Sequence, residues 1–174
     1  MSLEDTPPFY KRAGFWRGLL LQSILLLIVY IGMQVWQSRD ALTGQAPPIN
    51  TVRLNGEQVR LINYRGKPLL VHFWASWCPI CRLEESSISA IAEDHAVLSF
   101  ASQSGDADSV RDYVREQDLR FPVIEDENGE WAELYRVKGY PSSFIIDADG
   151  RIYDVEVGYS SSWGLRLRLF LASL

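Results

Sequence analysis

Two cysteines three positions apart, Cys78 and Cys81, restrict the fold of this chain more than any other feature. An almost unbroken apolar run, Leu69–Trp74, comes shortly before them, and such a run is typical of a central strand covered on both faces. After them, apolar residues recur at helical rather than alternating spacing, at Leu83, Ile88, Ala90 and Ile91. We therefore predict that the dithiol lies where a buried strand ends and a helix begins.

The carboxyl-terminal part alternates between strands and helices. Asn55-Gly56 and Asp149-Gly150 are hairpin signals, so each is expected to join two antiparallel strands. Besides Leu69–Trp74, strands are predicted at residues 51–54, 58–61, 96–101, 121–124, 142–147 and 151–157. Helices are predicted at 106–118 and 130–137, whereas 163–171 has the pattern of a helix on the sheet but also alternates like a strand. This order predicts an α/β domain with a central mixed sheet flanked by helices.

Residues 18–37 contain no charged side chain and are long enough to cross a hydrocarbon core of roughly 30 Å as a helix. A buried core helix is the alternative, but soluble helices of this length usually carry a polar face. Lys11, Arg12 and Arg17 precede the run and only Arg39 follows closely, so the positive-inside rule places residues 1–17 in the cytoplasm. The run exceeds the apolar core of a cleaved signal peptide, which favours an uncleaved anchor.

The segment between the predicted anchor and the predicted domain has the composition of a linker. Residues 38–50 include Gly44, Pro47 and Pro48, which favour an extended connection. The folded domain is accordingly expected to span residues 51–174 and to lie outside the cytoplasmic membrane.

Composition excludes several other kinds of site. The formal net charge is -5, with scattered signs and no basic stripe, so we expect no nucleic-acid partner. A structural zinc site usually takes four protein ligands, and besides the two cysteines the chain offers only His72 and His95, without ligand spacing. We predict no metal, and no cofactor other than the redox-active disulfide of Cys78 and Cys81 themselves.

A C-x-x-C pair at the start of a helix has a physical reason to be redox-active. Backbone N–H groups and the helix dipole stabilise a thiolate at Cys78, which is the predicted nucleophile toward a substrate disulfide. Cys81, one turn further, is expected to resolve the mixed disulfide. Pro79 suits the first helical turn because it lacks an N–H group. The alternative is a pair of buried cysteines that serve only as apolar side chains.

The sequence GKPLLVHFWASWCPICRLEE, residues 66–85, resembles the thioredoxin superfamily, and more narrowly its membrane-anchored periplasmic branch. A second marker is GYPSSFIID, residues 139–147, which is similar to the glycine-x-proline loop of that family. The resemblance begins near residue 50 and reaches the carboxyl end. It implies a thioredoxin-like fold with an added strand and helix at residues 121–137.

The resemblance also assigns residues around the dithiol. It implies that the Tyr140-Pro141 bond is cis and lies against the dithiol, where the adjoining backbone pairs with a bound substrate strand. The residues expected to shape this site and contact substrate are Trp77, Pro79, Ile80, Tyr140 and Pro141.

His72 and Glu84 are candidates for proton handling. His72 stands where thioredoxins have a buried acid beneath the resolving cysteine, so the chain departs from the family pattern there. A neutral imidazole would accept the proton of Cys81, and the alternative is a core histidine hydrogen-bonded to backbone. Glu84 and Glu85 follow Cys81 within about one turn and would raise the pKa of a nearby thiolate, unless they form a solvated face.

Residues 82–110 and 155–169 look closest to the copper-sensitivity suppressor disulfide oxidoreductases of the same branch. That resemblance implies an enzyme exchanging electrons with protein thiols and disulfides outside the bacterial inner membrane, as a reductant linked to copper tolerance. A transmembrane electron-conducting reductase would keep it reduced. One alternative is a cytochrome c maturation thioredoxin, although Ser142 stands where an acid typically follows the loop proline. The other is a Cu(I) chaperone, to which only Met1 and Met33 could add a thioether.

Overall fold

The computed structural model describes residues 13–38 and 42–174. The chain divides into two compact units, Met1–Arg39 and Asp40–Leu174. The first unit contains α1 (Ala13–Ser38), a helix of 26 residues in which the large apolar side chains between positions 16 and 30, Leu20 and Leu26 among them, are exposed.

The predicted anchor, residues 18–37, lies within α1 and is helical throughout. Among residues 13–38 and 42–174, no helix combines the length and the apolar content that crossing a membrane requires. The predicted cytoplasmic tail falls outside the described residues as far as position 12, and so do positions 39–41 of the predicted linker.

The second unit alternates between strands and helices. Its strands are β1 (Gly44–Gln45), β2 (Asn50–Val52), β3 (Gln58–Arg60), β4 (Leu69–Trp74), β5 (Ala96–Ser102), β6 (Val123–Asp126), β7 (Ser142–Ile146) and β8 (Arg151–Val157). Its helices are α2 (Pro79–Asp94), α3 (Ala107–Glu116), α4 (Glu130–Leu134) and α5 (Ser162–Leu171), with a 3₁₀ turn at Leu61–Tyr64.

A six-stranded mixed sheet organises this unit, with the strand order β1-β8-β7-β4-β5-β6. β4 pairs in parallel with β5 and antiparallel with β7, so it lies in the middle of the sheet, and every one of its side chains is buried. β2 and β3 form a separate hairpin around Asn55-Gly56. The predicted central mixed sheet and both predicted hairpins are therefore confirmed.

Alternation along β4 divides the core between the two faces of the sheet. Leu70 and Trp74 point to the face that also holds the cysteines, Ile88 of α2 and Leu165 of α5. The opposite face holds an aromatic cluster, in which Phe73 lies between Phe100, Tyr135 and Phe144. The cysteines therefore belong to the same apolar core that holds α2 and α5 on the sheet.

The folded unit begins earlier than predicted. Gly44 and Gln45 pair with β8 as an edge strand, and the side chains of Ala46 and Ile49 are buried. Part of the predicted linker is therefore built into the domain, because its backbone completes an edge of the sheet and its apolar side chains reach the core.

The carboxyl-terminal segment is a helix rather than a strand. Leu165 and Leu169, four residues apart, are buried against the sheet, and the Ser161 side chain accepts a hydrogen bond from the N–H of Gly164 at the helix start. The sequence of residues 163–171 fits either a helix or a strand. The helix forms because it places these two leucines on the same side, where both pack against the sheet.

Phe73→Ala tests the aromatic cluster. The Phe73 ring is fully buried and stacks on Phe100 with centroids 4.9 Å apart, so its loss should lower the free energy of unfolding by about 3 to 5 kcal/mol. Urea denaturation of the full chain should show a lower midpoint with an unchanged slope. Tyr153→Ala, on β8 and 49% exposed, is the control. Equal losses in the two variants would contradict the assignment of Phe73 to the core.

Candidate active site

The dithiol lies at the junction of β4 and α2, as predicted. Cys78 is the residue before the helix, with extended backbone angles of φ -86° and ψ 113°, and Pro79 occupies the first helical position. A short turn, in which the N–H of Cys78 donates to the carbonyl oxygen of Ala75 at 3.1 Å, leads from the strand to the helix. The geometry places the Cys78 sulfur at the open N-terminal end of α2.

The Cys78 sulfur has two polar contacts. It accepts a hydrogen bond from the backbone N–H of Cys81 at 3.3 Å, and the thiol donates to the carbonyl oxygen of Tyr140 at 3.5 Å. An N–H group at a helix start directed at the sulfur stabilises negative charge there. The N–H of Cys81 thus favours a negatively charged sulfur, whereas donation to the Tyr140 carbonyl is a contact of the neutral thiol.

Cys81 lies in a different environment although it is only one turn away. Its side chain is 2% exposed, and burial raises the pKa of its thiol well above the ordinary value. The hydrogen bond to Cys78 and the negative charges of Cys78 and Glu84 act in the same direction, whereas a backbone hydrogen bond with Ala75 opposes them. Cys81 is therefore a protonated thiol near neutral pH, and it needs a proton acceptor before it can act as a nucleophile.

The loop before β7 lies against the dithiol, as the resemblance implies. The Tyr140-Pro141 bond is cis, and the carbonyl of Tyr140 is the one that contacts Cys78. The rings of Trp77 and Tyr140 meet edge to face at 5.8 Å, and the indole N–H of Trp77 donates to the carbonyl oxygen of Gln103 at 2.9 Å.

Apolar side chains surround the nearly buried sulfur of Cys78. Trp77 is 58% exposed and Ile80 45% exposed, and Pro79 between the cysteines is also exposed. The structure thus brings the predicted site-shaping residues together around the sulfur. Their contact with substrate stays a prediction.

His72 lies within the core on the dithiol face of β4. Its Nδ1 is 3.0 Å from the hydroxyl oxygen of Ser143 on the neighbouring strand β7, so its partner is a side chain and not the backbone. Burial lowers the pKa of His72 to about 3, which leaves the imidazole neutral. Within residues 42–174 the structure shows no hydrogen bond from His72 to either cysteine.

The expectation of a solvated face at Glu84 is wrong. Glu84 is fully buried, whereas Leu83, predicted on the apolar face, is 67% exposed. The inward face of α2 consists of Cys81, Glu84, Ile88 and Ile91, which are three, four and three residues apart. Glu84 therefore shares the buried side of the helix with the resolving cysteine.

The Glu84 carboxyl group has one hydrogen bond. The backbone N–H of Ser160 donates to Oε1, whereas Oε2 is buried without a partner among the described residues. Burial raises the pKa of Glu84 to about 7, and the hydrogen bond from Ser160 opposes that rise. A carboxyl group with this pKa changes its protonation state near neutral pH beside Cys81.

Sequence reasoning missed Ser160. It is 7% exposed and lies between β8 and α5, far along the chain from the glutamate that it contacts. A serine among three consecutive serines gives no signal of such a contact. The neighbouring acid Glu85 is partly buried. It accepts a hydrogen bond from the Tyr113 hydroxyl at 2.6 Å, which connects α2 to α3.

The fold and the dithiol can be compared with known proteins. Residues 42–155 match the AhpC/TSA family. The chain belongs to this family. Members share a thioredoxin-like fold, and the expected resemblance to thiol-disulfide oxidoreductases is confirmed by named relatives.

Three relatives illustrate the similarity. The chain is 36% identical over 154 residues to a thioredoxin-like protein of Haemophilus influenzae, covering 87% of this chain and 92% of that one. It is 30% identical over 146 residues to the thiol-disulfide oxidoreductase ResA of Bacillus thuringiensis, covering 77% and 84%. The crystal structure of the exposed lipoprotein thioredoxin Etrx1 from Streptococcus pneumoniae matches with a TM-score of 0.67 and 25% identity, covering 72% of this chain and 99% of that one.

Glu84→Gln tests the raised pKa of the buried carboxyl. Between the ordinary pKa of 4.5 and about 7, the unfolded chain releases this proton while the folded chain keeps it. The folded state then binds more protons, so stability falls as pH rises through this window, by about 3 kcal/mol for this group. Glutamine keeps an oxygen that accepts from Ser160 and does not ionise, so the variant should lose this decline.

The measurement is the free energy of unfolding of the full chain at several pH values across the window. Glu93→Gln, at an exposed position of the same helix, is the matched control and should follow the wild type. Buried His72 contributes a slope of opposite sign, but it is present in all three proteins and cancels in the differences. Parallel curves for wild type and Glu84→Gln would contradict the raised pKa.

Proposed function

We propose that this chain is a membrane-anchored oxidoreductase that reduces protein disulfides outside the bacterial inner membrane through Cys78 and Cys81. Its class, a thiol-disulfide oxidoreductase of the thioredoxin superfamily, follows from its family and its named relatives. The observation that carries the proposal is the Cys78 sulfur at the start of α2, between the N–H of Cys81 and the carbonyl of Tyr140.

The first step is attack by the Cys78 thiolate on one sulfur of a substrate disulfide. The disulfide breaks, its other sulfur leaves as a thiolate, and a mixed disulfide joins Cys78 to the substrate. The N–H of Cys81 stabilises the attacking sulfur before the reaction. The backbone beside cis Pro141 adjoins Cys78, which is the position where a substrate strand would pair.

The second step requires Cys81 to lose its proton. The Cys81 thiolate then attacks the Cys78 sulfur, which forms the Cys78–Cys81 disulfide and releases the second substrate sulfur as a thiolate. Because burial opposes ionisation of Cys81, a nearby base controls this step. Two buried groups near the dithiol, His72 and Glu84, are the candidates for this base.

Glu84 is the better proton acceptor. Burial raises the pKa of Glu84 to about 7 and lowers that of His72 to about 3, so Glu84 binds a proton more readily than His72 does. Glu84 also interacts electrostatically with Cys81, whereas the described contact of His72 is with Ser143. We assign Glu84 as the base and His72 as a neutral core residue that bonds to β7.

The reducing direction of electron transfer is proposed from the family resemblance. A dithiol is a strong oxidant when its reduced form is stabilised, as by a strongly stabilised thiolate. The thiolate that matters in this comparison is that of the proposed nucleophile, Cys78, so a measured redox potential decides the direction.

The anchor is part of the proposal and is supported by the sequence. Residues 18–37 carry no charge and lie within a helix of 26 residues, and the basic residues cluster on its amino-terminal side. The similar structure from Streptococcus pneumoniae is that of an exposed lipoprotein thioredoxin, which supports a location at the cell surface for the proposed anchored enzyme. In this arrangement a transmembrane electron-conducting reductase returns two electrons to the Cys78–Cys81 disulfide after each cycle.

The proposed link to copper tolerance concerns the substrate of the enzyme and not metal binding by the chain itself. Residues 82–110 and 155–169 resemble the copper-sensitivity group, so an oxidised protein of copper handling is the substrate class that this resemblance favours. Among the described residues, no three His, Cys, Asp or Glu side chains are grouped so as to hold a metal ion.

Replacing each cysteine separately should distinguish their roles. Cys78→Ser should reduce the rate of disulfide reduction to the uncatalysed rate, because Cys78 makes the first attack. Cys81→Ala should accumulate a mixed disulfide with a model disulfide peptide, visible by mass spectrometry without reductant. The double variant is the control and should form no adduct. Activity in Cys78→Ser, or an adduct on Cys81 in that variant, would contradict the assignment.

Equilibration with glutathione should establish the direction. We expect the potential of the full chain to lie nearer about -270 mV than about -120 mV, because the family resemblance favours a reductant. The ratio of oxidised to reduced chain, measured after acid quenching and alkylation, gives the potential directly. A value close to about -120 mV would make the protein a disulfide donor and would overturn the reducing assignment.

A further inference from the structure

Ser160 is the hydrogen-bond donor that the structure gives to the buried base. Its backbone N–H donates to Oε1 of Glu84, and the two residues are 76 positions apart in sequence. The groups that face the carboxyl are Cys81 from its own helix and Ser160 from the loop between β8 and α5, and no charged side chain contributes to its pKa among the described residues. The loop therefore supplies the polar contact that acts on this carboxyl.

Two side-chain atoms at this contact are buried without hydrogen-bond partners. They are Oε2 of Glu84 and the hydroxyl oxygen of Ser160, and among the described residues the same is true elsewhere only of Nε of Arg53. A native structure has few such atoms, and each is unfavourable unless another state of the molecule satisfies it. A serine hydroxyl rotates freely enough to donate to a neighbouring carboxylate oxygen. When Glu84 is ionised, donation from the Ser160 hydroxyl to Oε2 would give both atoms a partner.

The loop that carries Ser160 is fixed at both ends. Gly158, at φ +90°, has a backbone conformation that favours glycine, and its N–H donates to the carbonyl oxygen of Pro141 at 2.8 Å. On the other side, the Ser161 hydroxyl accepts from the N–H of Gly164 at 3.2 Å and caps α5. Ser160 is thus held between the loop that adjoins Cys78 and the helix that packs on α2.

We propose that Ser160 is a positioning residue for the resolving step, whose N–H orients the Glu84 carboxyl and whose hydroxyl donates to Oε2 when that carboxyl is ionised. This inference rests on the proposed role of Glu84 as the base. In the step itself the S–H bond of Cys81 breaks and its proton passes to the Glu84 carboxylate. The Cys78–Cys81 bond forms as the bond between Cys78 and substrate breaks, and the substrate sulfur leaves as a thiolate that takes up a proton.

The direction in which Ser160 shifts the pKa of Glu84 depends on whether its hydrogen bonds favour the ionised or the neutral carboxyl group. A donor to the carboxylate stabilises the charged form and lowers the pKa of Glu84, as the N–H of Ser160 does against the effect of burial. Loss of the hydroxyl should therefore raise the pKa of Glu84 further. The carboxylate that accepts the proton of Cys81 would then be available only at higher pH.

The experiment is a single turnover of the reduced full chain with an aromatic disulfide whose released thiolate absorbs light. Attack by Cys78 releases the first thiolate and resolution by Cys81 releases the second, so the two steps appear as separate phases. The quantity of interest is the pH at the midpoint of the rise in the second-phase rate. In the wild type this midpoint should lie near the pKa of Glu84, about 7.

Ser160→Ala should move this midpoint upward by about one pH unit, as expected for loss of a hydrogen bond to a charged group. Ser160→Gly, which also keeps the N–H and lacks the hydroxyl, should give the same shift, and Ser160→Thr should restore the wild-type midpoint. Ser161→Ala is the matched control, because it removes the neighbouring hydroxyl and loosens the cap of α5 without touching Glu84. Its midpoint should not move.

Glu84→Gln separates this inference from the proposed function. It should slow the second phase and remove the midpoint, and Ser160→Ala should then have no further effect on the pH profile. An unchanged midpoint in both Ser160→Ala and Ser160→Gly, with Glu84→Gln behaving as expected, would overturn the role of Ser160 and leave Glu84 as the base. An equal shift in Ser161→Ala would also overturn it. A midpoint that persists in Glu84→Gln would reject the base and Ser160 together.

Discussion

The site depends on where α2 begins and on how it packs against the apolar face of the sheet. Because the helix begins just after Cys78, its free N–H groups are available to that sulfur, and the N–H of Cys81 is directed at it. The same helix then turns Cys81 into the core, where burial keeps it a thiol. One junction of strand and helix thus gives two cysteines a single turn apart opposite chemical roles.

Burial on this apolar face also shifts the pKa values of the two other titratable groups near the dithiol, His72 and Glu84. Burial lowers the pKa of His72 and raises the pKa of Glu84, so each group is driven toward its neutral form. The effect leaves His72 unable to bind a proton near neutral pH, but it brings Glu84 into the range where a carboxyl exchanges one. A histidine where the family resemblance implies an acid therefore still leaves a buried carboxyl near the dithiol, which comes from the helix instead of the strand.

Local sequence patterns were sufficient for most elements and for naming Glu84 as a candidate, but insufficient for its burial. The bounds of β4 and β8 and the start of α2 were predicted because apolar runs, turn residues and the cysteines mark them within a few positions. The burial of Glu84 was not predicted because residue type alone assigns a leucine to the core and a glutamate to the surface. In the structure the glutamate is buried and the neighbouring Leu83 is exposed. The N–H of Ser160 that satisfies the buried carboxyl comes from a segment 76 residues away, as β1 pairs with the distant β8. Long-range partners of this kind leave no local signal.

The contacts around the dithiol form a connected series made largely of backbone atoms. The carbonyl of Tyr140 meets Cys78, the carbonyl of Pro141 accepts from Gly158, and two residues later the N–H of Ser160 reaches Glu84. Backbone groups keep their positions when neighbouring side chains change, so the Cys78 sulfur and the Glu84 carboxyl are held in place by the fold itself. The side chains of Trp77 and Ile80 are exposed and supply none of these backbone contacts. If Cys78 and Glu84 have the proposed roles, the exposed surface that meets a substrate can differ without altering the proposed path of the proton.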